Sequence, residues 1–325
     1  EILKQIKDIV DTAKRAQIAG YDGVEIMGSE GYLINQFIVT HTNKRTDSWG
    51  GAYRNRIRFP VEIVRQVREA AGENFIIMFR LSMIDLIPNG STWDEVLLLA
   101  KELEKVGASL INTGIGWHEA RIPTIATSVP RRAFSWVTKK LMGQLKIPII
   151  TSNRINTPEI AEAVLAERCA DMVSMARPFL ADPNFMIKVY EDRSKTIVPC
   201  IACNQACLDH TFSMKLTSCL VNPSACSEKE FIFEPIQAKI KKIAIVGSGP
   251  AGIAASITAR NRGFEVSLFE IKDTIGGQLN LASKIPGKEE FVGLLEYYRN
   301  EISRLGINLH LGYNVTTREL RKFDE

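Results

Sequence analysis

The chain has 325 residues, 45% of them apolar and 24% charged, with a formal net charge of +4. Those fractions describe a folded, soluble protein, and the length suits about two domains. So slight a basic excess excludes a nucleic-acid footprint, and no apolar run is long enough to span a bilayer.

Through the first half, helical patterns alternate with short apolar runs. A helix over about Ile2 to Ala19 leads to Gly23–Met27. A second, about Arg54 to Ala71, leads to Phe75–Arg80, and a third, about Thr92 to Val106, leads to Ser109–Thr113. Arg132 to Gly143 leads to Pro148–Thr151, and Pro158 to Ala166 leads to Asp171–Met175. This alternation implies parallel strands with helical crossovers. The strands end on polar or glycine residues: Arg80, Asn112 to Gly116, Ser152 to Arg154, and Ala176-Arg177-Pro178. Chemistry at C-terminal strand ends marks a (β/α)8 TIM barrel. Five strands are present, so the expected α/β fold is a partial barrel, strands four to eight, over residues 1–194. Residues 195–240 would link it to the start of a Rossmann-like domain over 241–325. The chain opens on a helix without an initiator methionine and ends in a polar stretch soon after Leu309. It reads as a fragment lacking three barrel strands and much of its second domain.

Four of the six cysteines crowd the linking segment: Cys200, Cys203 and Cys207 in one run, then Cys219. Thiolates at such spacing suit a cubane iron–sulfur cluster or a four-coordinate zinc. Zinc usually takes two separate C-x2-C pairs, or histidine in the second pair. Three cysteines in one run with a lone fourth favour iron–sulfur, with zinc the alternative. A disulfide framework is disfavoured by the missing secretory leader and by two further cysteines, Cys169 and Cys226. Cysteine usage therefore points to metal ligation in a reducing, cytoplasmic compartment. Cys169 reads as a packing residue, and Cys226 has no assigned role.

Lys242 to Val246 is an apolar strand, followed by Gly247-Ser-Gly249-Pro-Ala251-Gly252 and a helix. Gly247 allows a tight turn, Gly249 lets backbone approach a pyrophosphate, and Gly252 lets helix sit close to strand. The anion would rest on the helix N-terminus. A second strand, Glu265–Glu270, ends in an acid placed to accept hydrogen bonds from a ribose diol. Gly276, Gly277 and Gln278 would be another close backbone approach to the ligand, or an ordinary turn.

Several segments together carry a resemblance: GVEIMGSEGYLINQF (23–37), RTDSWGG (45–51), FRLSM (79–83), NTGIGWHEARIPTIA (112–126), SNRIN (152–156), SMARPFLADP (174–183), CIACNQAC (200–207) and VGSGPAG (246–252). The chain resembles the iron–sulfur flavoenzymes of the old yellow enzyme superfamily, in the branch of the bacterial NADPH-dependent 2,4-dienoyl-CoA reductases. The most discriminating piece, GIGWHEARIPTIA, is not expected in the trimethylamine dehydrogenase branch, which shares the domain plan.

The resemblance implies a relay from NADPH to FAD, then a [4Fe–4S] cluster on Cys200, Cys203, Cys207 and Cys219, then FMN in the barrel. Flavins on both sides of a cluster convert hydride currency to single electrons and back. Hydride would reach the δ carbon of a conjugated dienoyl thioester, and a protein acid would protonate the α or γ carbon. Protonation at the γ carbon, giving the 2-enoyl product, is expected. Tyr32 is the implied acid. A phenol holds its proton to near pH 10, yet donates to a developing enolate when another group polarises it. His118 is the implied partner.

Met27 and Glu30 stand where many old yellow enzymes carry histidine and asparagine, which puts simple cyclic enone chemistry in doubt. Arg80 is implied beside the flavin N1/O2 edge, where it would stabilise negative charge. Arg154, Ala176 and Arg177 match phosphate-binding strand ends, a common use of the last barrel loops. The stretch His41, Thr42, Asn43, Lys44 and the stretch His118, Glu119, Ala120, Arg121 would line the entrance for an acyl-CoA. A solvated loop is an equal reading of residues 41–44. Two other classes stay open: a related enoate reductase or amine dehydrogenase, and an inactive electron-transfer module.

Overall fold

A computed structural model describes every residue except 233, 234 and 236–239. The segment expected to link the domains therefore lies partly outside the described residues. The chain divides into two compact units. The first comprises residues 1–125, 131–155 and 159–175; the second comprises 126–130, 156–158 and 176–325.

The first unit is built on five parallel strands in sequence order: β1 (Gly23–Gly28), β2 (Ile76–Ile84), β3 (Leu110–Ile115), β4 (Ile149–Thr151) and β5 (Met172–Val173). Its helices are α1 (Ile2–Ile18), α2 (Leu33–Ile38), α3 (Tyr53–Arg56), α4 (Arg58–Ala71), α5 (Trp93–Lys105), α6 (Ser135–Leu141) and α7 (Pro158–Ala166). Alternation along β2 explains its position. Ile77, Phe79 and Leu81 are buried, and with Phe59, Ile63 and Val67 of α4 and Leu99 and Leu103 of α5 they form the core. Each such side chain contributes about 1.5–3 kcal/mol on burial. Arg80 projects to the other face of β2. There it shares one row with Met27 of β1 and Asn112 of β3, its register partners.

The predicted helix over Arg54 to Ala71 is broken at Ile57. Arg56 turns inward, donating to the carbonyls of Ile38 and Gly51 and pairing with Glu95 at 2.6 Å. Glu95 also completes a capping box with Thr92, which starts α5. The helix predicted over Arg132 to Gly143 is shorter, Ser135–Leu141.

The second unit holds a three-stranded parallel sheet of β6 (Lys242–Val246), β7 (Glu265–Phe269) and β8 (Asn308–His310). Helices Pro250–Asn261 and Glu290–Arg304 bury Ile253, Leu294, Tyr298 and Ile302 against it, beside Val266 and Leu268. Among the described residues, no helix is long and apolar enough to cross a membrane.

Candidate active site and cofactor sites

The turn after β1 is tight because Glu30 and Gly31 are both left-handed, at φ 55° and 84°. Gly31 is required twice over. Its φ favours glycine, and a Cβ there would lie 2.7 Å from the Trp117 ring. This turn delivers Tyr32 to the N-terminus of α2, with 48% of its surface exposed and so within reach of a ligand. From the loop after β3 comes His118, whose ring lies edge-on to Tyr32 at 5.3 Å between centroids. The backbone N–H of His118 donates to the Glu30 carbonyl at 3.4 Å. Residues 86 positions apart in the sequence thus meet beyond the C-terminal ends of β1 and β3, the strands on either side of β2.

Glu30, noted in the sequence only as a departure from the family pattern, is a partner of Arg80. Its carboxylate pairs with Arg80, taking Nη2 at 2.9 Å and Nε at 3.0 Å, and also accepts from Ser29. Both members are largely buried, so the pair fixes the guanidinium on the sheet face beside Met27. Nη1 of Arg80 takes no part in these bonds. Arg154 is buried in a left-handed conformation, and its carbonyl accepts from the Arg132 N–H.

The entrance residues divide. Asn43 is buried and spent within its own loop, donating to the Phe37 and Trp49 carbonyls and accepting from the Arg45 N–H. Thr42 donates to the Gln36 carbonyl and Lys44 to the Thr40 carbonyl. His41 lies edge-on to Trp117 at 6.0 Å. Glu119 and Arg121 are exposed, and Ala120 donates its N–H to the Trp117 carbonyl.

All four clustered cysteines line one pocket of the second unit, with Arg177, Leu180 and Val221. Ala202 and Asn204, both left-handed, flank Cys203 and bend the chain round it. Cys207 sits in a π-turn, and the Ser218 N–H on the Ala206 carbonyl brings Cys219 back beside it. Burial pushes the Cys200, Cys203 and Cys219 thiols up from the usual value, against a smaller opposing pull from Arg177 on the first two. Among the described residues, no three acidic, histidine or cysteine side chains close round a single metal ion. Tetrahedral zinc would need its sulfurs about 3.8 Å apart. Arg177, one residue after Ala176, donates from Nη1 to Asn204 Oδ1 at 2.6 Å. Cys169 is packed with Ile155 and Val164, and Cys226 is exposed.

In the glycine turn, Gly247 has φ 97°, and a Cβ on Gly252 would lie 1.9 Å from the Gly247 carbonyl. Gly249 differs: its φ is −70° and nothing lies within 4 Å of its missing Cβ. The fold does not require glycine there, whereas an approaching phosphate would. Glu270 already accepts from the Ser248 N–H and hydroxyl on one oxygen and from the Lys272 N–H on the other. These bonds hold its carboxyl below the usual range and leave lone-pair capacity for a further donor. Gly276 and Gly277 pack on this turn, with the Gly276 N–H on the Ser248 carbonyl and Gly277 against Gly249, while Gln278 starts a short helix. Gly249→Val is expected to melt like the wild type while losing dinucleotide, and Gly252→Val to lose several degrees of melting temperature as well. Calorimetry with bound-flavin counts checks both.

Residues 1–196 match the family described as NADH:flavin oxidoreductase / NADH oxidase, and residues 245–292 match an NAD(P)-binding Rossmann-like domain. The chain is 40% identical to a metal reductase of Desulforamulus reducens over 98% of its own length and 48% of that protein. It is 39% identical to an NADH oxidase of Thermoanaerobacter brockii, over 96% and 48%. A solved 2-naphthoyl-CoA reductase complexed with 2-naphthoyl-CoA superimposes with a TM-score of 0.96 at 35% identity, over 99% of this chain and 49% of that one. The chain spans about half the length of the relatives it matches. A family match over most of the first unit, on the same strand ends that gather Tyr32, His118, Glu30 and Arg80, places this chain in the NADH:flavin oxidoreductase / NADH oxidase family, an old yellow enzyme-like flavin oxidoreductase.

Proposed function

We propose that this chain is part of an NADPH-dependent reductase of 2,4-dienoyl-CoA thioesters. The observation that carries the reading is the edge-to-face pair of Tyr32 and His118 beyond the C-terminal ends of β1 and β3. A reachable phenol against an imidazole is an acid pair for an enolate. Tyr32 delivers the proton to the γ carbon, and His118 polarises the phenol. Glu30 holds Arg80 in place on the sheet face, where it and Arg154 are the first unit's contacts for FMN. The likeness to a protein crystallised with an acyl-CoA supports a thioester substrate.

Four thiols lining one pocket, three from a single run and a lone fourth, suit a [4Fe–4S] cluster. The open space at Gly249, with Glu270 behind it, suits FAD. When bound, the flavins supply hydride transfer and the cluster supplies single-electron steps. The five parallel strands then read as the last five of an eight-stranded barrel, and residues 241–325 as the start of a Rossmann-like domain.

The test is anaerobic turnover of the complete enzyme with NADPH and 2,4-hexadienoyl-CoA. One NADPH and one proton should be consumed per dienoyl thioester, and mass spectrometry with NMR should identify the 2-enoyl product. Turnover of cinnamate or a secondary amine, with the dienoyl thioester inert, would assign the chain to an enoate reductase or amine dehydrogenase instead.

A further inference from the structure

We infer that Asp85, just beyond β2, is the positioning residue that sets the spacing of Tyr32 and His118; this rests on the acid-pair reading above. Asp85 is almost wholly buried, at 3% exposure. Its Oδ1 accepts from Ser82 Oγ at 2.7 Å, Trp117 Nε1 at 2.9 Å and Asn35 Nδ2 at 3.3 Å. Oδ2 accepts from the Ser91 N–H at 2.7 Å. Four donors converge on this one buried carboxylate, three of them on Oδ1. A buried network satisfied to this extent is rigid.

The donors come from α2, β2 and the loops after β2 and β3, and two of them, Asn35 and Trp117, stand close to the acid pair. Asn35 uses its own Oδ1 to hold the Gly31 N–H at 3.0 Å, and Gly31 precedes Tyr32. Trp117 precedes His118, and its backbone N–H also reaches the Asp85 carbonyl, at 3.0 Å. The residue before each member of the pair is therefore tied to the same carboxylate oxygen. The Trp117 ring lies directly against Gly31, so the two anchored loops also pack on each other. Asp85 acts on the pair through Asn35 and Trp117. Its effect is to remove the freedom of the two loops to part, which is the structural content of preorganisation.

Asp85→Asn keeps the volume but puts an amide NH2 where one oxygen accepted hydrogen bonds. Trp117→Phe is milder, deleting one donor while keeping a ring against Gly31. Both should be made in the complete flavin-loaded enzyme. NADPH should reduce the bound flavin at the wild-type rate in each. Reoxidation by 2,4-hexadienoyl-CoA should slow roughly 10–100-fold in Asp85→Asn, the scale of a ~1 Å misplacement, and less in Trp117→Phe. In a Tyr32→Phe background, neither change should cost anything further, because the pair they position is already broken. Crystal structures should show the two rings parted in Asp85→Asn. Unmoved rings, wild-type reoxidation, or an undiminished further loss in the Tyr32→Phe background overturns the inference. If Tyr32→Phe alone reoxidises normally, the acid reading falls while the ring separation still judges Asp85. Should Asp85→Asn not fold, Trp117→Phe supplies the same readouts.

Discussion

Anaerobically purified protein is expected to be brown and to carry about four irons per chain, and Cys203→Ser to remove the colour and most of the iron. The expectation follows from how the loop is built. Ala202 and Asn204 hold unfavourable left-handed conformations on either side of Cys203, and the π-turn carries Cys207 into the same pocket. Strain of this kind persists where the surroundings or a ligand over-determine it. Burial keeps three of the thiols protonated beyond their usual range, so cluster loading must expel protons. Iron uptake by the empty chain should therefore rise with pH. Iron and acid-labile sulfide assays, with absorbance near the thiolate-to-iron charge-transfer band, are the measurement. A colourless protein holding one stoichiometric zinc would sink the cluster reading.

Much of the fold was legible because local chemistry and tertiary packing agree. The strand Phe75–Arg80 lay in plain view: its alternation places Phe79 in the core and Arg80 opposite, as the sheet requires. The break at Ile57 was not legible, because it depends on Arg56 finding a carbonyl and a carboxylate far along the chain. The site divides the same way. The Gly247 to Gly252 turn is a local device, and its spacing announced it. The meeting of Tyr32 and His118 is non-local, and only the resemblance suggested it. Asp85 carried no signal at all. A lone aspartate before Leu86 and Pro88 reads as a turn residue, and its partners at 35, 82, 91 and 117 are adjacent only once the sheet has formed. Glu30 was noticed as a departure from a family pattern, but its ion pair with Arg80 needs the register of β1 on β2. Arg177 was legible by its strand-end position, while its hydrogen bond to Asn204 of the cysteine loop depends on the folded chain.

Tyr32→Phe in the complete enzyme is expected to slow reoxidation of reduced flavin by a dienoyl-CoA by about 10²–10⁴-fold, the usual contribution of a general acid. The substitution removes one hydroxyl and almost no volume. Tyr32 is half-exposed and makes no side-chain hydrogen bond on which α2 depends, since that helix begins without a side-chain cap. Loss of fold is therefore not a competing explanation, and reduction of the flavin by NADPH should persist. If the imidazole edge-on to the phenol polarises it, as proposed, His118→Ala should slow the same step. The double variant should lose less than the product of the two single losses, because the pair acts as a unit. Stopped-flow measurement of the oxidative half-reaction isolates the step from flavin reduction and product release. Wild-type reoxidation by Tyr32→Phe would pass the proton to His118, to Glu30 or to water. The identity of the product then separates these, since a donor on the other side of the enolate would deliver to the α carbon and give the 3-enoyl thioester.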